Sequence, residues 1–120
     1  MKSNTKLSMD KDGYTSIRES VLRKIEDNLP EIRERFGIDT LGVFGSVSRG
    51  EDTPDSDVDV LYTFQDGKAT YRNLSGLSVY LEELLGRKTD LVSEKWIDAG
   101  LLSVIRDDII PCSSAASGAA

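Results

Sequence analysis

The sequence predicts an α/β fold, in the looser α+β sense of a small mixed β-sheet with helices packed on it. Three observations predict it. Apolar residues recur at helical spacing in the long segments, and apolar runs of strand length lie between them. The resulting order is helix, strand, strand, helix, strand, helix, which calls for a sheet with helices laid against it. The chain has 120 residues, a length for one domain. Its 38% hydrophobic and 30% charged residues are an ordinary globular balance.

Residues 1–14 are polar and aperiodic and are expected to form a loose arm, with no apolar core of a signal peptide. Residues 15–111 are expected to form the domain. The stretch 112–120, CSSAASGAA, is small and uncharged, and is read as a disordered tail or a cloning remnant. Within the domain, Ser16 and Glu19 have capping-box spacing and open a first helix. Ile17, Val21, Ile25 and Leu29 form its apolar face. Pro30 disfavours helical geometry at Leu29, so a break or kink is expected there. A second short helix through Ile32 and Phe36 would follow, with Gly37 as its C-terminal cap. TLGVF, Thr40 to Phe44, is a short buried strand. Gly45 to Gly50 is a turn with about one helical turn after it, and Thr53-Pro54-Asp55 has turn chemistry.

Asp57 to Phe64 is the second strand. Asp66-Gly67 is a turn, and a hairpin is one way to continue from it. Leu74, Leu77, Leu81, Leu84 and Leu85 have helical spacing, however, so a helix capped by Gly86 is expected instead. Lys88 to Val92 is the third strand. Leu101, Leu102 and Ile105 mark a last helix, and Ile109 with Ile110 a short terminal strand. Trp96 is expected to anchor a core or an interface. Tyr71 and Tyr80 are expected to pack, and Arg23, Lys24, Arg33 and Arg35 to lie on solvated helix faces.

Composition excludes several functions. A net charge of −6 disfavours a direct nucleic-acid partner, which usually demands a basic face. No apolar run approaches the ~20 residues of a membrane span. The single cysteine, Cys112, fits a reducing cytoplasm. There is no histidine, which removes every His-assisted nucleophile and every His-based metal site. Chemistry must therefore run on carboxylates, Lys, Arg, Tyr or hydroxyls, or on a cation held by oxygens.

The segment GVFGSVSRGEDTPDSDVDV holds Glu51, Asp52, Asp55, Asp57 and Asp59 close together. On a strand, residues i and i+2 share a face. Asp57 and Asp59 should then point one way, with Val58 and Val60 toward the core. Two carboxylates ~5 Å apart repel by about 3 kcal/mol at an effective dielectric of ~20, and a divalent cation reverses that sign. Oxygen donors in this pattern suit magnesium held by one or two carboxylates plus substrate phosphates. A surface Asp-x-Asp is the commoner explanation of such a pair taken alone. A calcium loop fits poorly, since Val60 and Asp66 stand where it needs Gly and Glu. Gly45-Ser46 raises the pair above the commonplace. Glycine admits backbone amides close to an anion, and helix-start amides with a serine hydroxyl can cradle phosphate. Arg49-Gly50 adds a cation at the same turn.

The pattern G-S-x10-D-x-D, filled out as FGSVSRGEDTPDSDVDVLY, resembles the nucleotidyltransferase superfamily. In size it is similar to the minimal nucleotidyltransferases, the MNT partner of HEPN–MNT toxin–antitoxin pairs. RERFGIDTLG and ELLGRKTDLVS are supporting matches, and the likeness covers residues 17–110. It implies a nucleotidyltransferase fold in which Gly45 and Ser46 hold the triphosphate and Asp57 and Asp59 hold magnesium. Asp90 would be the third carboxylate, as metal ligand or as base. It further implies ATP as substrate, two Mg2+ ions when nucleotide is bound, and AMP transfer to a tyrosine of a HEPN ribonuclease toxin. Val47 and the C-terminal Pro111-Cys112 depart from the family pattern. About 27 residues follow the third strand, so an acceptor site would need completion by another chain. Two other expectations stand beside this one: an antitoxin acting by occlusion without catalysis, and a transferase acting on a small molecule.

Overall fold

A computed structural model describes residues 13–113. The expected arm and tail therefore lie largely outside the described residues. Two residues assigned to them belong to the fold: the Tyr14 hydroxyl is hydrogen-bonded to Asp52, and Cys112 is buried with its amide donating to the Leu41 carbonyl.

Helix α1 (Arg18–Phe36) is followed by β1 (Ile38–Phe44), the short α2 (Gly45–Arg49), β2 (Val58–Phe64) and α3 (Tyr71–Leu85). Then come β3 (Thr89–Ser93), α4 (Ala99–Ile105), a 3-10 turn (Arg106–Asp108) and β4 (Ile110–Pro111). The sheet order is β3-β2-β1-β4. β2 pairs antiparallel with β1 and parallel with β3, so the sheet is mixed, as expected.

Pro30 does not end the first helix; α1 runs through it to an αL cap at Gly37. Proline inside a helix costs about 3 kcal/mol. Leu29 and Ile32 on either side of it are 1% and 0% exposed, and burying each contributes roughly 1.5–3 kcal/mol. A break would uncover both, so packing outweighs the local preference. The expected capping box does not form either. Ile17 is the N-cap residue and its own side chain makes no cap. The Ser16 hydroxyl donates to Asp52 and accepts from the Arg18 amide at 3.1 Å, not from that of Glu19.

The segment after Asp66-Gly67 is a helix and not a hairpin strand. Thr70 Oγ1 accepts from the Asn73 amide at 3.1 Å at its start, and Gly86 closes it with φ 69°. Leu77, Leu81 and Leu85 of α3 join Val21, Ile25, Leu29, Ile32 and Phe36 of α1 over one face of the sheet, against Val43, Val58 and Val60. The other face has thinner cover. Phe44 and Leu61 pack there against Ile105, with Leu102 and Ile109 partly buried at the margin. Alternation along β2 sends Val58 and Val60 to the covered face and Asp59 and Leu61 to the thin one.

Tyr71 is not where the sequence placed it: it is 85% exposed and does not pack. Trp96 is 80% exposed, which excludes the core and leaves the interface of its two expected places. Tyr80 does pack, edge-to-face on Phe36 with ring centroids 5.4 Å apart.

Candidate active site

The site forms where β1 ends and β2 begins. Asp57 sits just before β2, and Asp59 lies within it beside Asp90 of parallel β3. The Val58 amide donates to the Lys88 carbonyl at 2.9 Å, which fixes the two strand starts side by side. Asp57 and Asp90 are exposed, whereas Asp59 is partly buried. Burial, and then the charges of Asp90 and Asp57, push the Asp59 carboxyl up from its ordinary value; the nearby Arg49 charge works against them. Asp59 therefore feels the charge of both other carboxylates. Among the described residues, no three carboxylates converge as a ready metal cluster.

The Gly45-Ser46 turn lies against the same carboxylate. Gly45 has φ 78°, and a Cβ there would come 2.1 Å from Asp59 Oδ2. Only glycine satisfies both the left-handed backbone and the contact. The turn is anchored from beneath. Val47 is fully buried, so its departure from the family pattern is spent on the core. Ser48 Oγ donates to the Gly45 carbonyl at 2.8 Å, and Arg18 Nε donates to the Ser48 carbonyl at 2.9 Å. Gly50, in the left-handed conformation, closes α2 with its amide toward the Ser46 and Val47 carbonyls. Gly50 thus shapes the turn from its far end.

Arg49 pairs with Glu51 at 3.0 Å and with Asp108 at 2.8 Å. It tethers the 3-10 turn to α2 while staying within electrostatic reach of Asp59. The structure therefore brings Gly45, Ser46, Arg49, Asp57, Asp59 and Asp90 to one end of the sheet.

Sequence reasoning missed Asp52. It is 6% exposed and accepts hydrogen bonds from the Tyr14 hydroxyl, the Ser16 hydroxyl and the Ile17 amide. Burial alone would raise its carboxyl, but the bonds from Ser16, Tyr14 and Ile17 outweigh it and hold the group below its usual value. Of the acid run, this residue belongs to the fold. Arg87 is engaged at the loop that precedes β2. Its Nη1 donates to the Thr53 and Ser56 carbonyls at 3.1 and 2.9 Å, and its Nη2 to the Tyr14 hydroxyl at 3.0 Å. A separate groove of about 600 Å³, walled by Tyr62, Phe64, Tyr71 and Trp96, opens at the other end of β2.

Residues 22–114 match the family model of the nucleotidyltransferase domain. The chain belongs to that family. It is 40% identical over 80 residues to Protein adenylyltransferase MntA of Thermococcus cleftensis, covering 67% of this chain and 80% of that one. A solved structure described as a minimal nucleotidyltransferase superposes with a TM-score of 0.66 at 36% identity, covering 78% of this chain and 94% of that one. A chain from the complex of a tri-AMPylated Shewanella oneidensis HEPN toxin with its MNT antitoxin gives a TM-score of 0.55. That match spans 84% of this chain and 76% of the other, and at 14% identity it is a likeness of fold. The expected resemblance to minimal nucleotidyltransferases is thus borne out, and with it the fold and nucleotidyl transfer as the activity.

Among the described residues, no helix is long and apolar enough to cross a membrane. The donor set suits a hard divalent cation: paired carboxylates on neighbouring positions, one of them strained by like charge, with nitrogen and sulfur ligands absent from the turn. Asp57 and Asp59 would hold it, leaving its other positions to water and phosphate oxygens.

Proposed function

We propose that this nucleotidyltransferase transfers AMP from ATP to a tyrosine of a HEPN-type toxin and so acts as its antitoxin. The observation that carries the reading is Asp59, partly buried between the charges of Asp57 and Asp90 and pressed against Gly45. Supporting it are the 40% identity to a protein adenylyltransferase and the fold shared with an MNT antitoxin in complex with its AMPylated toxin.

The amides and hydroxyl of Gly45-Ser46 bind triphosphate oxygens, and the missing Cβ at Gly45 keeps that approach open. Asp57 and Asp59 hold Mg2+, which when bound neutralises charge on the phosphates and on the leaving pyrophosphate. Asp90, on the exposed edge of the trio, accepts the proton of the acceptor hydroxyl. The acceptor oxygen forms a bond to the α-phosphorus, the α–β bridging P–O bond breaks, and pyrophosphate departs. Arg49 offsets the negative charge accumulated at the turn.

The test is incubation with α-labelled ATP, Mg2+ and the cognate toxin. Label is expected on the toxin and is expected to vanish with Asp57→Asn. Toxin inhibition that survives this substitution without any label would favour occlusion. Label on an aminoglycoside-type acceptor in place of the toxin would favour small-molecule transfer.

A further inference from the structure

We infer that Arg87 is a positioning residue that sets Asp57 relative to Asp90, an inference that rests on the functional reading above. Asp57 is the only one of the three carboxylates delivered by a segment without regular structure, since β2 begins at Val58. A loop carboxylate needs something else to fix its place. That something is the Arg87 guanidinium, which reaches the Ser56 carbonyl, one residue before Asp57, at 2.9 Å. The same Nη1 holds the Thr53 carbonyl at 3.1 Å, so both ends of the Thr53–Ser56 turn hang on one side chain. Internal bonds of that turn, Ser56 N to the Thr53 carbonyl at 3.0 Å and Thr53 N to Ser56 Oγ at 2.9 Å, make it move as a unit.

Arg87 stands three residues before Asp90, between the Gly86 cap of α3 and the start of β3. Its backbone thus leads directly into the strand that carries Asp90, while its side chain holds the segment that carries Asp57. Its second nitrogen is held at 3.0 Å by the Tyr14 hydroxyl, which Asp52 fixes in turn. Arginine suits the task because its planar fork makes several directed bonds at once; lysine offers a single point charge.

The test is the Mn2+ retained by the protein in equilibrium dialysis, with the ATP analogue AMP-PNP at the same concentration on both sides of the membrane, at a temperature where far-UV circular dichroism shows each variant folded. Arg87→Ala is expected to bind Mn2+ at least fivefold more weakly than wild type, while Ile25→Val, a core change remote from the site, binds as wild type does. A smaller loss in Arg87→Ala, or an equal loss in Ile25→Val, overturns the inference. Should Arg87→Ala fail to fold, Arg87→Lys carries the test under the same fivefold criterion, since one ammonium cannot reproduce the fork. Asp57→Asn separates the two levels of argument. If it loses Mn2+ while Arg87→Ala keeps it, the positioning role alone is refuted. If wild type with AMP-PNP takes up no Mn2+ at all, the functional reading falls and this inference falls with it.

Discussion

Asp52 and Asp59 are seven positions apart in one acidic run, yet the fold treats them in opposite ways. Asp52 is the more deeply buried, and it is surrounded by donors: two hydroxyls and an amide. Asp59 is less buried, and its neighbours are two further carboxylates and a glycine with no side chain to offer. The carboxyl of the first is pushed down and that of the second pushed up. A buried acid with partners holds a structure together. A half-buried acid among like charges is a strain that a bound cation relieves, which is how a site is distinguished from a scaffold.

The comparison can be broken or sharpened by substitution. The largest effect is expected from Asp59→Asn, which should lower transfer by on the order of a thousandfold, as loss of a charge-stabilising group does. The same change should raise the melting temperature at neutral pH in cation-free buffer. The raised carboxyl lets the folded chain hold its proton to higher pH than the unfolded chain does. Its contribution is therefore lost as pH rises from the ordinary carboxylate range through the raised value. The gain from Asp59→Asn should vanish below that range, and a fall in melting temperature at neutral pH would refute the strain.

Gly45→Ala should come next. A left-handed alanine costs about 1–2 kcal/mol, and its methyl would displace Asp59, so transfer should drop by more than tenfold while far-UV circular dichroism stays unchanged. Asp52→Asn should destabilise by about 1–3 kcal/mol through broken hydrogen bonds, read by denaturant melts. Its pH dependence has the opposite sign. The contribution of Asp52 is present above the ordinary carboxylate value and lost as pH falls through the depressed one, so mutant and wild type should converge in acid. The smallest effect is reserved for Thr70→Ala, far from the carboxylates. Loss of its cap to the Asn73 amide should cost about 1 kcal/mol and leave transfer untouched.

The central motif was legible because its meaning lies in short-range spacing. Alternation along one strand, with a Gly-Ser turn just upstream, put Asp57, Asp59 and Gly45 together without knowledge of the sheet. Asp52 was not legible, because nothing local separates it from Glu51 or Asp55. Its hydroxyl partners Tyr14 and Ser16 are 38 and 36 residues away in sequence. The same pairing took Ser16 from its expected capping box. The break expected at Pro30 failed to form for a related reason: a local preference of a few kcal/mol yielded to the apolar face on both sides of it. Tyr71 misled because an aromatic side chain alone does not say whether the core has room for it. The antiparallel pairing of β1 with β2 also carried no hairpin signal, since α2 and a long loop lie between them.

Cys112 has one more consequence. It is the only thiol in the chain, and burial lifts it to about 12. While the domain is closed, alkylating reagents meet neither an accessible sulfur nor an appreciable fraction of thiolate. Its amide is held by Leu41 of β1, next to the two-residue β4. The rate of iodoacetamide labelling at this one atom is therefore a built-in clock for how often the C-terminal edge peels away.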